Sequence, residues 1–299
     1  MRTFNTTGLC VPTKHYMVDI SDRLEQMKTM VEEGRYFTVN RGRQYGKTTT
    51  LKMLAKYLKD EYVVISLDFQ GISSEGFASE GTFVSELSKM LVQAAELRGM
   101  QIPQEYLDAF SALVDKAVDG LRLSDIFAVF LKWCNSSDKQ VVLFIDEVDS
   151  AAGNGVFLDF LAMLRYHYLE REASDDYKTF QSVILAGVTD VKNLKRKLRP
   201  DEAAKVNSPW NIAVDFTIDM SLSAEGIAGM LSDYEEDHNT GMDVKSIAQE
   251  IRDYTGGYPF LVCRICQILD SELVSTDRFS ELSDTWTSEG INEAVRIIV

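Results

Sequence analysis

The chain is poor in cysteine and histidine, and this scarcity excludes two kinds of chemistry. Four cysteines in 299 residues do not suggest a disulfide framework. Cys263 and Cys266 form a C-x-x-C, but the pair lies in an apolar helical pattern with no second pair at metal-ligand spacing. The histidines His15, His167 and His238 show no metal spacing either. We therefore expect buried thiols and structural or surface histidines.

Long apolar runs and an excess of positive charge are also missing. No run reaches the roughly 20 apolar residues of a membrane-spanning helix, and the first eight residues lack the apolar core of a signal peptide. We therefore expect a soluble, cytoplasmic protein with no membrane partner. The 46 acidic residues exceed the 31 basic ones, for a net charge of −15. This balance argues against tight nucleic-acid binding by this chain alone.

The segment at residues 36–48 is the most informative part of the sequence. It reads Tyr-Phe-Thr-Val-Asn-Arg-Gly-Arg-Gln-Tyr-Gly-Lys-Thr, which predicts a strand, a phosphate-binding loop and the start of a helix. We expect Lys47 to contact the β and γ oxygens of a triphosphate and Thr48 to bind Mg²⁺. The usual motif has glycine where Arg41 stands, and Gly42 could supply the missing backbone freedom. The predicted nucleotide-binding residues are Arg41, Gly42, Arg43, Gln44, Tyr45, Gly46, Lys47, Thr48 and Thr49.

A second acidic motif follows a long apolar run at residues 140–149. The run has strand length and ends in two carboxylates, as a strand buried on both faces of a parallel sheet should. Asp146 is expected to hold Mg²⁺ through water, and Glu147 to orient or deprotonate the attacking water. Ligands of open α/β sheets bind outside the carboxyl ends of the strands, beside the predicted loop. The alternative is a strand cap with solvated acids.

Strand and helix patterns alternate, which predicts parallel β-α-β units. We expect an α/β fold with a doubly wound, five-stranded parallel sheet in residues 1–221 and a C-terminal helical lid domain in 222–299. A helical insertion is predicted at about 80–135. The predicted helices after Ser221 are 223–235, 243–254, 258–272 and one from about 288. The predicted strands are 36–41, 62–69, 140–146, 181–188 and 212–218.

Two further features follow the strand predicted at 181–188. In P-loop ATPases with an extra strand between the two motif-bearing strands, a polar residue at its end senses the γ-phosphate. Thr189 is the candidate, although its hydroxyl could equally cap the next helix. The basic segment 192–199 is either a solvated helix face or a phosphate contact. In the second case Arg196 or Arg199 meets a phosphate, in its own subunit or across a homo-oligomer as an arginine finger.

Four segments together resemble the bacterial AAA-ATPase-like family of P-loop proteins, near the signal-transduction ATPases with numerous domains. They are residues 15–19 (His-Tyr-Met-Val-Asp), 40–51, 143–147 (Leu-Phe-Ile-Asp-Glu) and 257–259 (Gly-Tyr-Pro). The resemblance extends from residue 5 to about residue 275. It implies that the segment around Tyr16 lines the base pocket and that Tyr258 or Pro259 closes over adenine. The family often has an Arg-x-Arg-x-x-Gly-Lys loop, which accounts for the missing first glycine.

The combined expectation is an ATP-binding, Mg²⁺-dependent ATPase that acts as a conformational switch. The alternative is a nucleotide-gated scaffold that does not hydrolyse ATP. A GTPase is disfavoured because no Asn-Lys-x-Asp follows a strand, and a kinase because the Asp146-Glu147 pair favours water as the acceptor.

The spacing of residues 288–299 predicts a final helix whose apolar stripe ends in Ile-Ile-Val. Because an apolar triplet left in water is unusual, we expect the chain to be truncated before an effector domain, which is nuclease-like by resemblance. The members of the predicted stripe are Ile291, Ala294, Val295, Ile298 and Val299.

Overall fold

The computed structural model describes residues 2–188, 212–215, 219–274 and 276–299. These residues form two compact units. The first, the helical unit, comprises Met1–Arg23, Arg43–Thr50 and Ile218–Val299, and the second, the sheet unit, comprises Leu24–Gly42 and Leu51–Thr217. The N-terminal residues and the predicted phosphate-binding loop therefore group with the C-terminal helices. The division into a core domain, residues 1–221, and a lid domain, residues 222–299, stays a prediction.

The sheet unit contains a parallel sheet in the order β2-β3-β4-β1-β5. This confirms the predicted α/β fold with a parallel sheet. Every residue of β3 and β4 is buried, because both strands lie inside the sheet. β4 lies between β1 and β3, where the extra strand was predicted. The strands are β1 (Phe37–Asn40), β2 (Val63–Asp68), β3 (Val141–Asp146), β4 (Ser182–Gly187) and β5 (Val214–Asp215).

The prediction of five full strands is wrong for the last one. Only Val214 and Asp215 pair with β1, and residues 216–218 of the predicted strand lie outside the described residues. Val214 is 39 % exposed, as is common at the edge of a sheet. Among the residues that the structure describes, the sheet therefore has four full strands and a two-residue edge strand.

Helices pack around the sheet and enclose an aromatic core. Three of them, α3 to α5, fall within the predicted insertion at about 80–135. The Ser79 hydroxyl accepts from the Thr82 N–H at 3.1 Å and the Thr82 hydroxyl from the Ser79 N–H at 2.9 Å, so α3 begins with a capping box. The first six helices of the chain are α1 (Ser21–Glu32), α2 (Lys47–Leu58), α3 (Glu80–Arg98), α4 (Gln104–Val114), α5 (Leu123–Ser136) and α6 (Gly155–Ala173).

The C-terminal part of the helical unit is built from helices that lie close to the predicted positions. Pro259 occupies the first turn of α9, where its missing N–H costs no hydrogen bond. A π-helical turn, Ile268–Glu272, continues from α9. The role of these helices as a lid stays a prediction. The helices are α7 (Ala224–His238), α8 (Val244–Thr255), α9 (Pro259–Gln267), α10 (Leu282–Thr285) and α11 (Ser288–Ile298).

The apolar stripe of α11 packs largely inside the helical unit. Ile291 and Ala294 are fully buried, and Val295 and Ile298 pack against the same core. Of the final Ile-Ile-Val triplet, Ile298 packs against this core while Ile297 and Val299 are exposed, and the predicted downstream domain stays a prediction. The stripe is used by the unit's own core and is not by itself an argument for a further packing partner. No helix in the described ranges is long and apolar enough to cross a membrane.

Candidate functional site

The predicted phosphate-binding segment forms a strand, a tight loop and a helix. β1 ends at Asn40, and the next N–H, that of Arg41, donates to the carbonyl of Gly187 on β4 at 3.1 Å. The helix α2 begins at Lys47, and the Thr50 N–H donates to the Gly46 carbonyl at 2.8 Å. The predicted motif therefore lies at a strand-to-helix turn, which is the arrangement that binds phosphate in other proteins.

Two residues of this loop have left-handed backbone conformations. Gly46 has φ 76°, and a Cβ built there would meet nothing within 4 Å. The backbone conformation, not crowding, is therefore what favours glycine. Gln44 has φ 62°, which is uncommon for a residue with a side chain. Such turns direct successive N–H groups toward one side of the loop and can form an anion-binding concavity.

Lys47 is the first residue of α2 and is only 6 % exposed. Burial of this degree is rare for lysine unless a group of opposite charge is near. Thr50, one turn into the helix, is also buried, while Thr49 accepts a hydrogen bond from the Cys10 N–H at 3.3 Å. The N-terminal segment is thereby attached to the first turn of α2.

The acidic motif lies at the carboxyl end of β3, in the sheet unit. Asp146 is the last residue of the strand, is 7 % exposed and lies in register with Asp68 of β2. The Glu147 N–H donates to Asp146 Oδ1 at 2.9 Å, and Glu147 has φ 53°. A left-handed glutamate is strained, and such strain often marks functional positions. These carboxylates therefore lie at the carboxyl end of β3, as the sequence predicted.

Sequence reasoning missed the role of Asp149. Its Oδ2 accepts from the Val188 N–H at 2.6 Å, so it ties the turn after β3 to the end of β4. Gly187 makes this approach feasible, because a Cβ there would lie 2.9 Å from Asp149 Oδ2 and 2.7 Å from Val148 Cγ2. A glycine at the end of a buried strand was the available signal. The predicted γ-phosphate sensor, Thr189, follows Val188 and lies outside the described residues.

An apolar pocket opens beside the loop within the helical unit. Its walls include loop and helix residues together with the two residues that the resemblance assigned to the adenine base. The structure brings these predicted residues together, and their contact with a nucleotide stays a prediction. The wall residues from the prediction are Tyr16, Tyr45, Gly46, Thr49 and Pro259.

Tyr16 is a rigid part of that pocket wall. It is 1 % exposed, and its hydroxyl donates to Asp237 Oδ2 at 2.8 Å. The ring packs against Phe4 and Tyr234 at centroid distances of 5.0 and 5.2 Å. Burial, followed by the bond to Asp237, raises the pKa of Tyr16 well above its ordinary value. The hydroxyl is thus engaged with Asp237, and the apolar ring is what contributes to the wall.

A second pocket, more polar than the first, shares a wall with it. It is the larger of the two, about 360 against about 80 Å³, and Gln44 and the N-terminal residues Asn5, Thr6 and Thr7 line it. Together the two pockets offer an apolar region next to a polar one, as a ligand with a base and a sugar-phosphate requires. Sequence reasoning missed the contribution of the N-terminal residues, because polar loop residues there carry no periodic signal. The shared residues are Cys10, Gly46, Thr49, Pro259 and Cys263.

The cysteines follow the prediction in part. Cys134 and Cys266 are buried, and burial raises the pKa of both thiols. Cys10 and Cys263 are partly exposed and line the two pockets, and burial raises the pKa of the Cys263 thiol as well. Within the described residues, no group of His, Cys, Asp or Glu side chains could hold a metal ion by itself. Arg196 and Arg199 lie outside the described residues.

A strand-loop-helix motif that follows β1 of a parallel sheet, with carboxylates at the end of the buried strand β3, is typical of the P-loop class of nucleotide-binding proteins. The chain matches the AAA-like domain family over residues 12–293. It therefore belongs to this AAA-ATPase-like family, as the sequence motifs predicted, and the AAA-like P-loop fold suggests nucleotide binding.

A curated relative and several solved structures are similar to the chain. An uncharacterized WD repeat-containing protein of Synechocystis is 24 % identical over 259 residues, which are 84 % of this chain and 20 % of that protein. The chain thus spans about a fifth of that relative's length.

Two solved structures are similar to the chain at low identity. Cdc6p of Pyrobaculum aerophilum is 16 % identical with a TM-score of 0.44, over 82 % of this chain and 59 % of that one. The ORC2 protein of Aeropyrum pernix, in its ADPNP-ADP complexes, is 13 % identical with a TM-score of 0.49, over 93 % and 67 % of the two chains.

Proposed function

We propose that the chain binds ATP with Mg²⁺ and hydrolyses it, and that turnover acts as a conformational switch that controls a partner or a linked effector domain. The observation that carries the proposal is the shared pocket. Tyr45, Gly46 and Thr49 of the phosphate-binding motif line the same cavity as Tyr16 and Pro259, which the family resemblance assigns to adenine. One ligand with a base at one end and phosphates at the other matches such a cavity.

The side chains suit a nucleotide and a magnesium ion. The Lys47 ammonium matches the β and γ phosphates in charge, and the Thr48 hydroxyl and the Asp146 carboxylate are the hard oxygen ligands that Mg²⁺ prefers. Asp146 caps a fully buried strand, so its carboxylate is held by a rigid element. Mg²⁺, when bound, neutralises charge on the phosphate oxygens. Glu147 orients or deprotonates the attacking water.

Purified protein gives a direct test of this function. We expect calorimetry to detect ATP and ADP binding with a preference over GTP, and phosphate release to depend on added Mg²⁺. A protein that binds ATP tightly but releases no phosphate would support the scaffold alternative. Arg41 in place of the first motif glycine keeps that alternative open, whereas Glu147 argues for hydrolysis. A protein with no affinity for any nucleotide would contradict both.

The switch also needs something to act on. The family resemblance points to a linked effector domain of nuclease type. The basic segment 192–199 adds self-association in which Arg196 or Arg199 would reach a neighbour's phosphate. The WD repeat-containing relative supports a multidomain setting, since the part aligned with this chain is 20 % of its length. Comparing ATP turnover of this chain with that of the full gene product tests the effector domain. Repeating the comparison at low and high protein concentration tests self-association.

A further inference from the structure

Tyr258 holds the phosphate-binding loop from outside the pocket. Its hydroxyl donates to the carbonyl of Arg43 at 2.9 Å, and Gln44 Oε1 lies 3.3 Å from the same hydroxyl. Its ring packs against the Tyr45 ring at a centroid distance of 4.8 Å. Three consecutive loop residues are thus contacted by one side chain. Neither pocket counts Tyr258 among its lining residues, although the next residue, Pro259, lines both.

The backbone on both sides fixes the position of Tyr258. Gly257 has φ 73°, and a Cβ there would lie 2.3 Å from the Leu222 carbonyl oxygen, so only glycine fits. The Leu222 N–H donates to the Gly257 carbonyl at 2.8 Å, and the Gly257 N–H donates to the Thr255 hydroxyl at 3.0 Å. Pro259 then starts α9 with a fixed φ. The tyrosine is therefore presented by a rigid corner.

The bond to Arg43 has a consequence for the orientation of the loop. In a trans peptide the carbonyl and the following N–H point in opposite directions. When Tyr258 binds the Arg43 carbonyl, the Gln44 N–H is directed away from Tyr258. Gln44 itself has the uncommon φ of 62°, which an isolated glutamine would rarely adopt. A hydrogen bond and a ring contact from a rigid corner supply the stabilisation that this conformation needs.

We propose that Tyr258 is a positioning residue that keeps the loop in its phosphate-binding conformation. The affinity for the phosphates then depends on the rigid corner at residues 257–259. The inference rests on the proposed nucleotide binding. It differs from the expectation that Tyr258 closes over adenine, because a residue that covers the base would affect all adenine ligands equally. A residue that orients the loop affects only ligands with phosphates.

Comparing the Kd values of ATP, ADP and adenosine tests this role. Tyr258→Phe removes the hydroxyl and keeps the ring, and the matched control Tyr254→Phe removes another exposed hydroxyl of the same unit, the one that donates to Asn292 Oδ1 at 2.6 Å. We expect Tyr258→Phe to raise the Kd of ADP and ATP about threefold to tenfold, as loss of one hydrogen bond does, and to leave the Kd of adenosine within about twofold. The control should change none of the three.

Amide hydrogen exchange without ligand supplies a second readout. We expect faster exchange in peptides covering residues 43–47 of Tyr258→Phe than in the wild type, while peptides of α8 stay unchanged. Unchanged ADP affinity with unchanged loop exchange would overturn the inference, and so would equal losses for adenosine and ADP. Both outcomes leave the proposed function intact. A wild-type protein that binds no nucleotide would instead refute the proposed function and the inference with it.

Discussion

At the scale of single residues, Lys47 and Glu147 carry different parts of the proposed chemistry. Lys47 is a buried cation at the start of α2, and Glu147 is a left-handed carboxylate after β3. The first is suited to holding an anion, and the second to acting on water. Substituting each one separates binding from turnover.

Lys47→Ala should remove ATP binding. Each hydrogen bond to a charged group contributes about 1.5–3 kcal/mol, so the loss of two raises the Kd by a factor of at least about 100. The control is Lys52→Ala, because Lys52 lies on the same helix and is exposed. Calorimetry with ATP measures both variants. Equal affinity in the wild type and Lys47→Ala would contradict the assignment of the loop.

Glu147→Gln should leave ATP binding within about twofold and lower hydrolysis by about two or more orders of magnitude, because an amide cannot take a proton from water. Glutamine should tolerate the backbone conformation, since Gln44 adopts φ 62° in the same chain. Phosphate release under saturating ATP is the measurement. Unchanged turnover would show that Glu147 is a strand cap and not the catalytic base.

At the scale of secondary-structure elements, local patterns were enough to place the elements that carry the motifs. The apolar run at 140–146 became β3, and the Gly-Lys-Thr turn marked the start of α2. The contacts that fix these elements to one another were not predictable. Asp149 and Val188 are 39 residues apart, and Tyr258 and Arg43 are 215 apart. Periodicity reads only neighbouring residues, so such pairings leave no local trace.

Gly187→Ala tests the connection between the turn after β3 and the end of β4. The new methyl group would lie 2.7 Å from Val148 Cγ2 and 2.9 Å from Asp149 Oδ2, so one of these groups must move. We expect a loss of about 1–3 kcal/mol in the free energy of unfolding, as for other overpacked sites. Gly153→Ala is the control, since a Cβ there meets nothing within 4 Å. Denaturant unfolding of both variants decides between a real constraint and a tolerant turn.

At the scale of the whole molecule, the sequence says little about contacts between distant segments. The apolar stripe of α11 alone does not indicate its partner, and Ile291 and Ala294 are buried in the helical unit's own core. An amphipathic pattern predicts that a face is covered and does not say by what. In the same way, no local pattern indicated that Asn5, Thr6 and Thr7 line a pocket with Gln44. Both outcomes depend on tertiary contacts between distant segments.

The net charge of −15 leads to the last prediction, which concerns nucleic acid. Non-specific binding to DNA relies on replacing counterions along the phosphates with Lys and Arg, and typical dissociation constants are about 10⁻⁴ to 10⁻⁶ M at physiological salt. An acidic surface repels the same phosphates, so this chain alone should bind duplex DNA more weakly than about 10 µM near 0.15 M salt. Fluorescence anisotropy with a labelled duplex, with and without ATP, is the measurement.

The basic segment 192–199 could concentrate positive charge locally and is the part of the chain most suited to contradict this prediction. Binding below about 1 µM that weakens steeply with added salt, and that disappears in Arg196→Ala or Arg199→Ala, would assign the segment to DNA and overturn the prediction.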